Sequence, residues 1–163
     1  MIVRRETRDD HQAVRALFAS VSSPELLDRL RASDAWLPRL SLVALDGDDE
    51  IVGHIAGMRG QVGSTPVITL LPPSIEPEQG GRGIGQALMH AVLGAAEALG
   101  EPLVGLVGVP PEFFARFGFR PGQETGILAP VEDWRPYFMV RSMTEYRPFM
   151  RGTLAFPEAL LGA

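Results

Sequence analysis

The chain has 163 residues, a net charge of −5, 45% apolar and 21% charged side chains, and no cysteine. Roughly 100–200 residues per domain predicts a single domain, and a chain without cysteine excludes a disulfide scaffold, a thiol nucleophile and a thiolate metal site. The acidic balance argues against nucleic acid as a partner, because binding to phosphates rests on clustered cations.

The elements follow in chain order. Ile2–Thr7 begins as a short strand. Val14, Leu17, Phe18 and Val21 recur at helical spacing, which predicts a helix over about 10–21, with Asp9 and Gln12 as its capping box. Ser23-Pro24 opens a second helical stretch whose apolar face is Leu26, Leu27 and Leu30. Leu40–Leu45 and Ile51–Met58 are strand-like, and Asp46-Gly47 between them predicts a hairpin with glycine at positive φ. Val67–Leu71 is a further strand that runs into Pro72-Pro73. Two residues without N–H cannot continue an internal ladder, so a bulge or a splayed edge is expected there. From Ile84 the residues Leu88, Val92, Ala95 and Leu99 predict a long helix stopped by Gly100. Leu103–Val109 reads as a buried strand, Glu112–Phe117 as a short helix ended by Gly118, and Tyr137–Met143 as a last strand. The order β-α-α-β-β-β-α-β-α-β-β is that of one α/β domain. It spans 1–163, with a core over 1–146 and a mixed tail over 147–163.

Chemistry is narrowed further by what is missing. All fifteen basic residues are arginine, so neither a Schiff base nor a Walker lysine is available. Three scattered histidines, His11, His54 and His90, cannot fill a zinc shell, and no metal is expected. The N-terminus lacks the apolar stretch of a leader, and no run reaches the ~18–20 residues of a membrane span. The expectation is a cytoplasmic protein that acts away from membranes.

The most informative segment is Pro77-Glu-Gln-Gly-Gly-Arg-Gly-Ile-Gly-Gln-Ala-Leu88. Gly80, Gly81, Gly83 and Gly85 stand between a strand and a helix, where glycine lets backbone N–H groups gather around an anion. The helix N-terminus adds partial positive charge, and the Arg82 side chain can add a charge-assisted contact. A pyrophosphate suits such a site. The dinucleotide fingerprint is excluded by Leu88, which stands where a third small residue is needed, and the P-loop by the absence of lysine.

The segment Ile75–Met89 resembles motif A of the GNAT superfamily of acyl-CoA-dependent N-acyltransferases, and Glu112-Phe-Phe-Ala-Arg-Phe-Gly-Phe119 resembles its second conserved block. The element order from Ile2 to Phe119 agrees with both. The resemblance implies a mixed α/β (α+β) fold with a mostly antiparallel central sheet, splayed near its middle and flanked by about four helices. It implies acetyl-CoA as co-substrate and an amine acceptor, with a second copy of the chain as a candidate partner. Pantetheine would lie between the strand ending near Ile75 and the strand Leu103–Val109, alongside Ser74–Pro77. The backbone N–H of Ile75 would hold the thioester oxygen. The cofactor-binding residues carried over in this way are Ser74, Ile75, Pro77, Gly80, Gly81, Arg82, Gly83, Ile84, Gly85, Gln86 and Phe114.

Two positions depart from that pattern. Gly80 stands where the superfamily prefers Gln or Arg, with Gln79 one residue early. Phe114 stands where many members carry a tyrosine that protonates the departing thiolate. A base for the amine has two candidates, each with a structural alternative. Glu76 follows the oxyanion residue, or is a solvated surface glutamate; His54 has a suitable ordinary pKa near 6.5, or is a hydrogen-bonded structural histidine. Trp36, Trp134, Tyr137 and Phe138 either line an acceptor pocket or pack in the core. The functional expectation is transfer of an acetyl or short acyl group to a primary amine. The alternative is an acyl-CoA-binding sensor without turnover.

Overall fold

The computed structural model describes residues 1–161, so Gly162 and Ala163 of the expected tail lie outside the described residues. The elements are β1 (Ile2–Arg5), α1 (His11–Phe18), α2 (Pro24–Ala32), β2 (Trp36–Leu45), β3 (Ile51–Val62), β4 (Thr65–Ile75), α3 (Ile84–Ala98), β5 (Leu103–Val107), α4 (Pro111–Ala115), β6 (Arg120–Pro121), β7 (Ile127–Leu128), β8 (Phe138–Ser142), β9 (Gly152–Ala155) and α5 (Glu158–Leu161). The main sheet has the order β1-β2-β3-β4-β5-β8-β6. Along it only β4 and β5 run parallel, as the crossover through α3 requires. The tail contributes β9, which pairs with the end of β3 and with β7.

Periodicity locates the helices and loop chemistry corrects their ends. The cap of the first helical segment is Thr7, whose N–H and hydroxyl both meet the Asp10 carboxylate at 2.7 and 3.1 Å. It is not Asp9 with Gln12, because Arg4 from β1 holds Asp10 at 2.7 Å and fixes the entry one turn earlier. Ser23 caps α2 by accepting from the Leu26 N–H at 3.2 Å. The β2–β3 hairpin forms at Asp46-Gly47, but positive φ falls on Asp49, not on Gly47. The Asp46 carboxylate accepts from the N–H groups of Asp48 and Glu50 and builds the turn with its side chain.

Three apolar clusters hold the layers together. On one face α3 packs Leu88, Met89 and Val92 onto Leu42, Ile55, Ile68 and Leu106. On the other, Val14 and Phe18 of α1 and Leu27 and Leu30 of α2 cover Val43 and Met58. Each fully buried leucine here contributes roughly 1.5–3 kcal/mol. Farther along that face, Leu154 of β9 and Phe156 join Leu103, Phe138 and Val140.

The feature that shapes the site is the course of β4. It pairs with β5 only at Ile68, Thr69 and Leu70. From Leu71 to Ile75 it follows β3 alone, and the sheet opens between β4 and β5. Its pairing with β3 slips between His54 opposite Ser74 and Ala56 opposite Leu71. The slip leaves Pro72 and Pro73 in a bulge, where residues without an N–H cost no ladder bond. The strand therefore passes the prolines instead of ending at them. No helix among the described residues is long and apolar enough to cross a membrane.

Candidate active site

One side of the opening between β4 and β5 is a wall of backbone. Gly53 stands opposite Ile75, and the next N–H, that of Glu76, donates to the Val52 carbonyl at 2.8 Å. In an antiparallel ladder such a bond flanks a non-hydrogen-bonded pair. The N–H and C=O of Ile75 therefore turn away from β3, into the opening. The Ile75 side chain lies on the α3 face, against Gly85.

Beyond Glu76 a 3-10 turn, Pro77–Gln79, leads into the glycine loop. Gly81 and Gly83 have φ of +80° and +78°, conformations that L side chains rarely adopt. Gly83 sits at the N-cap of α3 without any side-chain cap. The amide N–H groups from Gly80 to Gln86 donate to no described residue, and the first intrahelical bond is that from the Ala87 N–H to Gly83. Pro77, Gly80, Gly81, Arg82, Gly83 and Gln86 are exposed, whereas Ile84 and Gly85 are buried beneath the loop. Arg82 enters no ion pair among the described residues and borders a recess of about 150 Å³ with Gln79 and Asp46. The arrangement is a set of unpaired donors at a helix N-terminus with one free guanidinium beside it, which suits a doubly charged phosphate group.

Phe114 does not join this wall. It is 2% exposed and lies over Gly108, where an added Cβ would meet its ring at 2.3 Å. Its neighbour Phe113 approaches the loop instead, with its ring 3.3 Å from the position of a Cβ on Gly85. Phe114, expected beside the cofactor, packs into the core, where the short helix α4 turns its ring against Phe119.

On the opposite face, His54 is 2% exposed and directly opposite Ser74, which is equally buried. Directly paired residues share a face of the sheet. His54 Nε2 is 2.9 Å from Ser41 Oγ, and Ser41 Oγ is 2.7 Å from Glu6 Oε1. Glu6 accepts a two-pronged ion pair from Arg31, whose Nη1 is 2.8 Å from Oε1. The Trp36 ring stacks on His54 at 6.5 Å and 12°, with Arg31 4.9 Å above that indole. Burial raises the Glu6 carboxyl, but hydrogen bonds from Arg31 and Ser41 outweigh it and leave it below its ordinary value. Burial pushes the His54 imidazole down to about 4, against the pull of Glu6 and with the push of Arg31. His54 is thus a neutral base throughout the neutral pH range. A recess of about 200 Å³ opens beside Glu6, Ser41, Arg31 and Trp36.

The remaining candidates fall elsewhere. Glu76 is half-buried at the end of β4, and its carboxylate bonds to no described residue. His11 is exposed, and His90 is exposed with its ring edge-on to Phe117 at 5.0 Å. Trp134 and Phe138 pack on Phe156, and Tyr137 is exposed just before β8. No group of three or more acidic, histidine or cysteine side chains that could hold a metal occurs among the described residues. Glu6, Arg31 and Ser41 are the residues that local motifs do not reveal. Their one signal is a serine inside the apolar run Leu40-Ser41-Leu42, paired with the end of a strand that carries a glutamate.

The splayed sheet and the amide loop agree with what a family profile finds. The acetyltransferase (GNAT) family profile matches residues 7–119. The chain belongs to this family. No protein with a curated description matches it. Among solved structures, the GNAT family N-acetyltransferase YhbS of Escherichia coli in complex with CoA has a TM-score of 0.89 at 20% identity, over 98% of this chain and 91% of that one. A GNAT family acetyltransferase from Brucella melitensis in complex with acetyl-CoA has a TM-score of 0.76 at 27% identity, over 98% and 97%. The Naa20 protein of Chaetomium thermophilum, in complex with a bisubstrate analogue, has a TM-score of 0.63 at 18% identity, over 98% and 99%. The GNAT fold thus extends past the profile match to strand β8 and the tail strand β9.

Proposed function

We propose that this GNAT chain is an N-acetyltransferase that moves the acetyl or short acyl group of an acyl-CoA, with acetyl-CoA the expected co-substrate, to a primary amine by direct attack on the thioester. The observation that carries the reading is the Ile75 N–H, turned into the opening of the sheet beside a loop of unpaired amides. The complexes of the Escherichia coli and Brucella melitensis proteins with CoA and acetyl-CoA support the choice of co-substrate. The amides from Gly80 to Gln86 would take the pyrophosphate, with Arg82 beside them, and the edge of Ser74–Pro77 would take pantetheine.

The chemistry then needs little from the protein. As the amine nitrogen bonds to the acyl carbon, the carbonyl oxygen gains charge and accepts from the Ile75 N–H. The C–S bond breaks with its electron pair on sulfur. The amine proton passes to a base, for which His54 and Glu76 are the candidates. Phe114 has no proton to give, so CoA leaves as the thiolate, which a thiol pKa near 8.5 on the cysteine scale permits. Holding the two reactants together supplies the larger part of the acceleration. Its expected place of action is the cytoplasm.

The buried, hydroxyl-free Phe114 favours a second reading, an acyl-CoA-binding module without turnover. Thiol release from acetyl-CoA over a panel of amines, with the acetylated product weighed by mass spectrometry, separates the two. Release that needs an amine supports the transferase. Tight acetyl-CoA binding with no release from any amine supports the module.

A further inference from the structure

His54 carries a lone pair whose position the neighbouring residues dictate. The Glu6 carboxylate is held ionised by Arg31 and can only accept. The single hydroxyl proton of Ser41 must therefore go to Glu6, at 2.7 Å. Ser41 Oγ then has only lone pairs to offer His54, so Nε2, at 2.9 Å, must be the nitrogen that bears the proton. The lone pair is left on Nδ1. Nδ1 bonds to no described residue, yet no buried side-chain nitrogen or oxygen among the described residues lacks a partner. Nδ1 is therefore the ring atom that solvent reaches. The same reasoning applies to the hydroxyl of Ser74, which is 2% exposed, makes no hydrogen bond and stands directly across the ladder from His54. Two polar atoms of buried side chains thus keep contact with solvent on the face of the sheet opposite α3, on a residue pair one ladder step from Ile75.

Resting on the transferase reading above, we infer that His54 Nδ1 is the base that takes the amine proton, and that Ser41 and Glu6 are positioning residues that set its tautomer. A water held by the Ser74 hydroxyl bridges the amine and Nδ1. The proton leaves the attacking nitrogen for that water, and a proton of the water passes to Nδ1, so that the imidazolium forms as the C–N bond closes and the C–S bond opens. Its positive charge lies 3.9 Å from Glu6 Oε1, measured from Nε2, with Ser41 between the two. Trp36, stacked on the ring, holds its plane. Glu76 lacks each of these supports, since its carboxylate has no described partner to orient it.

The test uses the full-length protein with acetyl-CoA and the best amine of the panel. His54→Gln is expected to lower kcat about tenfold to a hundredfold, the low end for loss of a general base, because burial keeps the imidazole weakly basic. Ser41→Ala is expected to lower kcat about tenfold or more, with KM for acetyl-CoA unchanged, and Ser41→Thr, which keeps a hydroxyl, restores most of it. Glu6→Gln can donate to Ser41 and so invert the relay. Nitrogen NMR of labelled histidine reads the tautomer without any turnover, with a pyridine-like Nδ1 expected in the wild type and a loss of that preference in Ser41→Ala and Glu6→Gln. Folded Ser41→Ala and His54→Gln proteins with wild-type kcat would overturn the proposal while leaving the transferase intact, as would a protonated Nδ1 in the wild type. A wild type that binds acetyl-CoA yet acetylates no amine overturns the transferase reading, and the base role of His54 falls with it.

Discussion

The two walls of the candidate site, one on β4 and its loop and one around His54, are made of different materials. The wall formed by Ile75 and the loop Gly80–Gln86 is backbone: its amides are left unpaired because the strand has lost its neighbour and the helix is just beginning. The wall around His54 is side chain: Glu6, Arg31, Ser41 and His54 come from β1's end, α2, β2 and β3 and meet only through register. The first wall suits a group that every member of a family must hold, since it asks for glycines and little else. The second depends on individual side chains, so it can be altered one residue at a time without disturbing the first.

That contrast can be broken at either wall. The largest effect is expected from Gly83→Asp, which places a carboxylate at the phosphate site and a side chain at φ +78°. Acetyl-CoA affinity by calorimetry should fall at least about a hundredfold, or about 3 kcal/mol. An unchanged affinity would place the phosphates elsewhere.

The second effect belongs to the side-chain wall and appears as stability. The folded His54 has its pKa lowered to about 4, whereas the unfolded one sits near 6.5. Below pH 6.5 the unfolded chain takes up a proton that the folded one refuses. Stability is therefore complete above that pH and is lost on the way down to 4, by at most about 3 kcal/mol. Urea unfolding of wild type and His54→Gln should diverge over this window, and parallel curves would mean that His54 is not held neutral.

Smaller substitutions sharpen the same division. Ser23→Ala removes the α2 cap at 3.2 Å from the Leu26 N–H and should cost about 1 kcal/mol in unfolding free energy. Acetyl-CoA affinity should stay as it is, because α2 serves the other wall. Arg82→Ala should weaken acetyl-CoA about two- to fivefold, a loss that fades at high salt, as expected of an exposed charge. A loss as large as that of Gly83→Asp would mean that the side chain, and not the amides, is the main anchor.

The same division separates what the sequence alone makes legible from what only the fold brings together. Glycines at Gly80–Gly85 ahead of an apolar helical stripe state their local geometry outright, and Pro72-Pro73 announces a disturbed ladder. The proline bulge, however, continues the strand to Ile75, because β3 tolerates a slip that the composition of β4 alone does not reveal. The hairpin was legible as a hairpin, but its turn is built by the Asp46 carboxylate. Motif position points Phe114 toward the site, whereas its burial over Gly108 depends on the packing of α4. His54 could be singled out as a titratable group within a strand. Its partners Ser41 and Glu6 could not, since their meeting depends on how β1, β2 and β3 align. Short β6, β7 and β9 are supported by long-range pairing and leave almost no local signal.

The amide resonances of the glycine loop give the most direct test. In a nitrogen–proton correlation spectrum of the labelled protein, Gly80, Gly81, Gly83, Gly85 and Gln86 should shift strongly on saturation with acetyl-CoA, together with Ile75. Residues of the His54 wall that lie away from the thioester, such as Glu6 and Arg31, should move little. Saturable binding that leaves the loop and Ile75 amides in place would contradict the account.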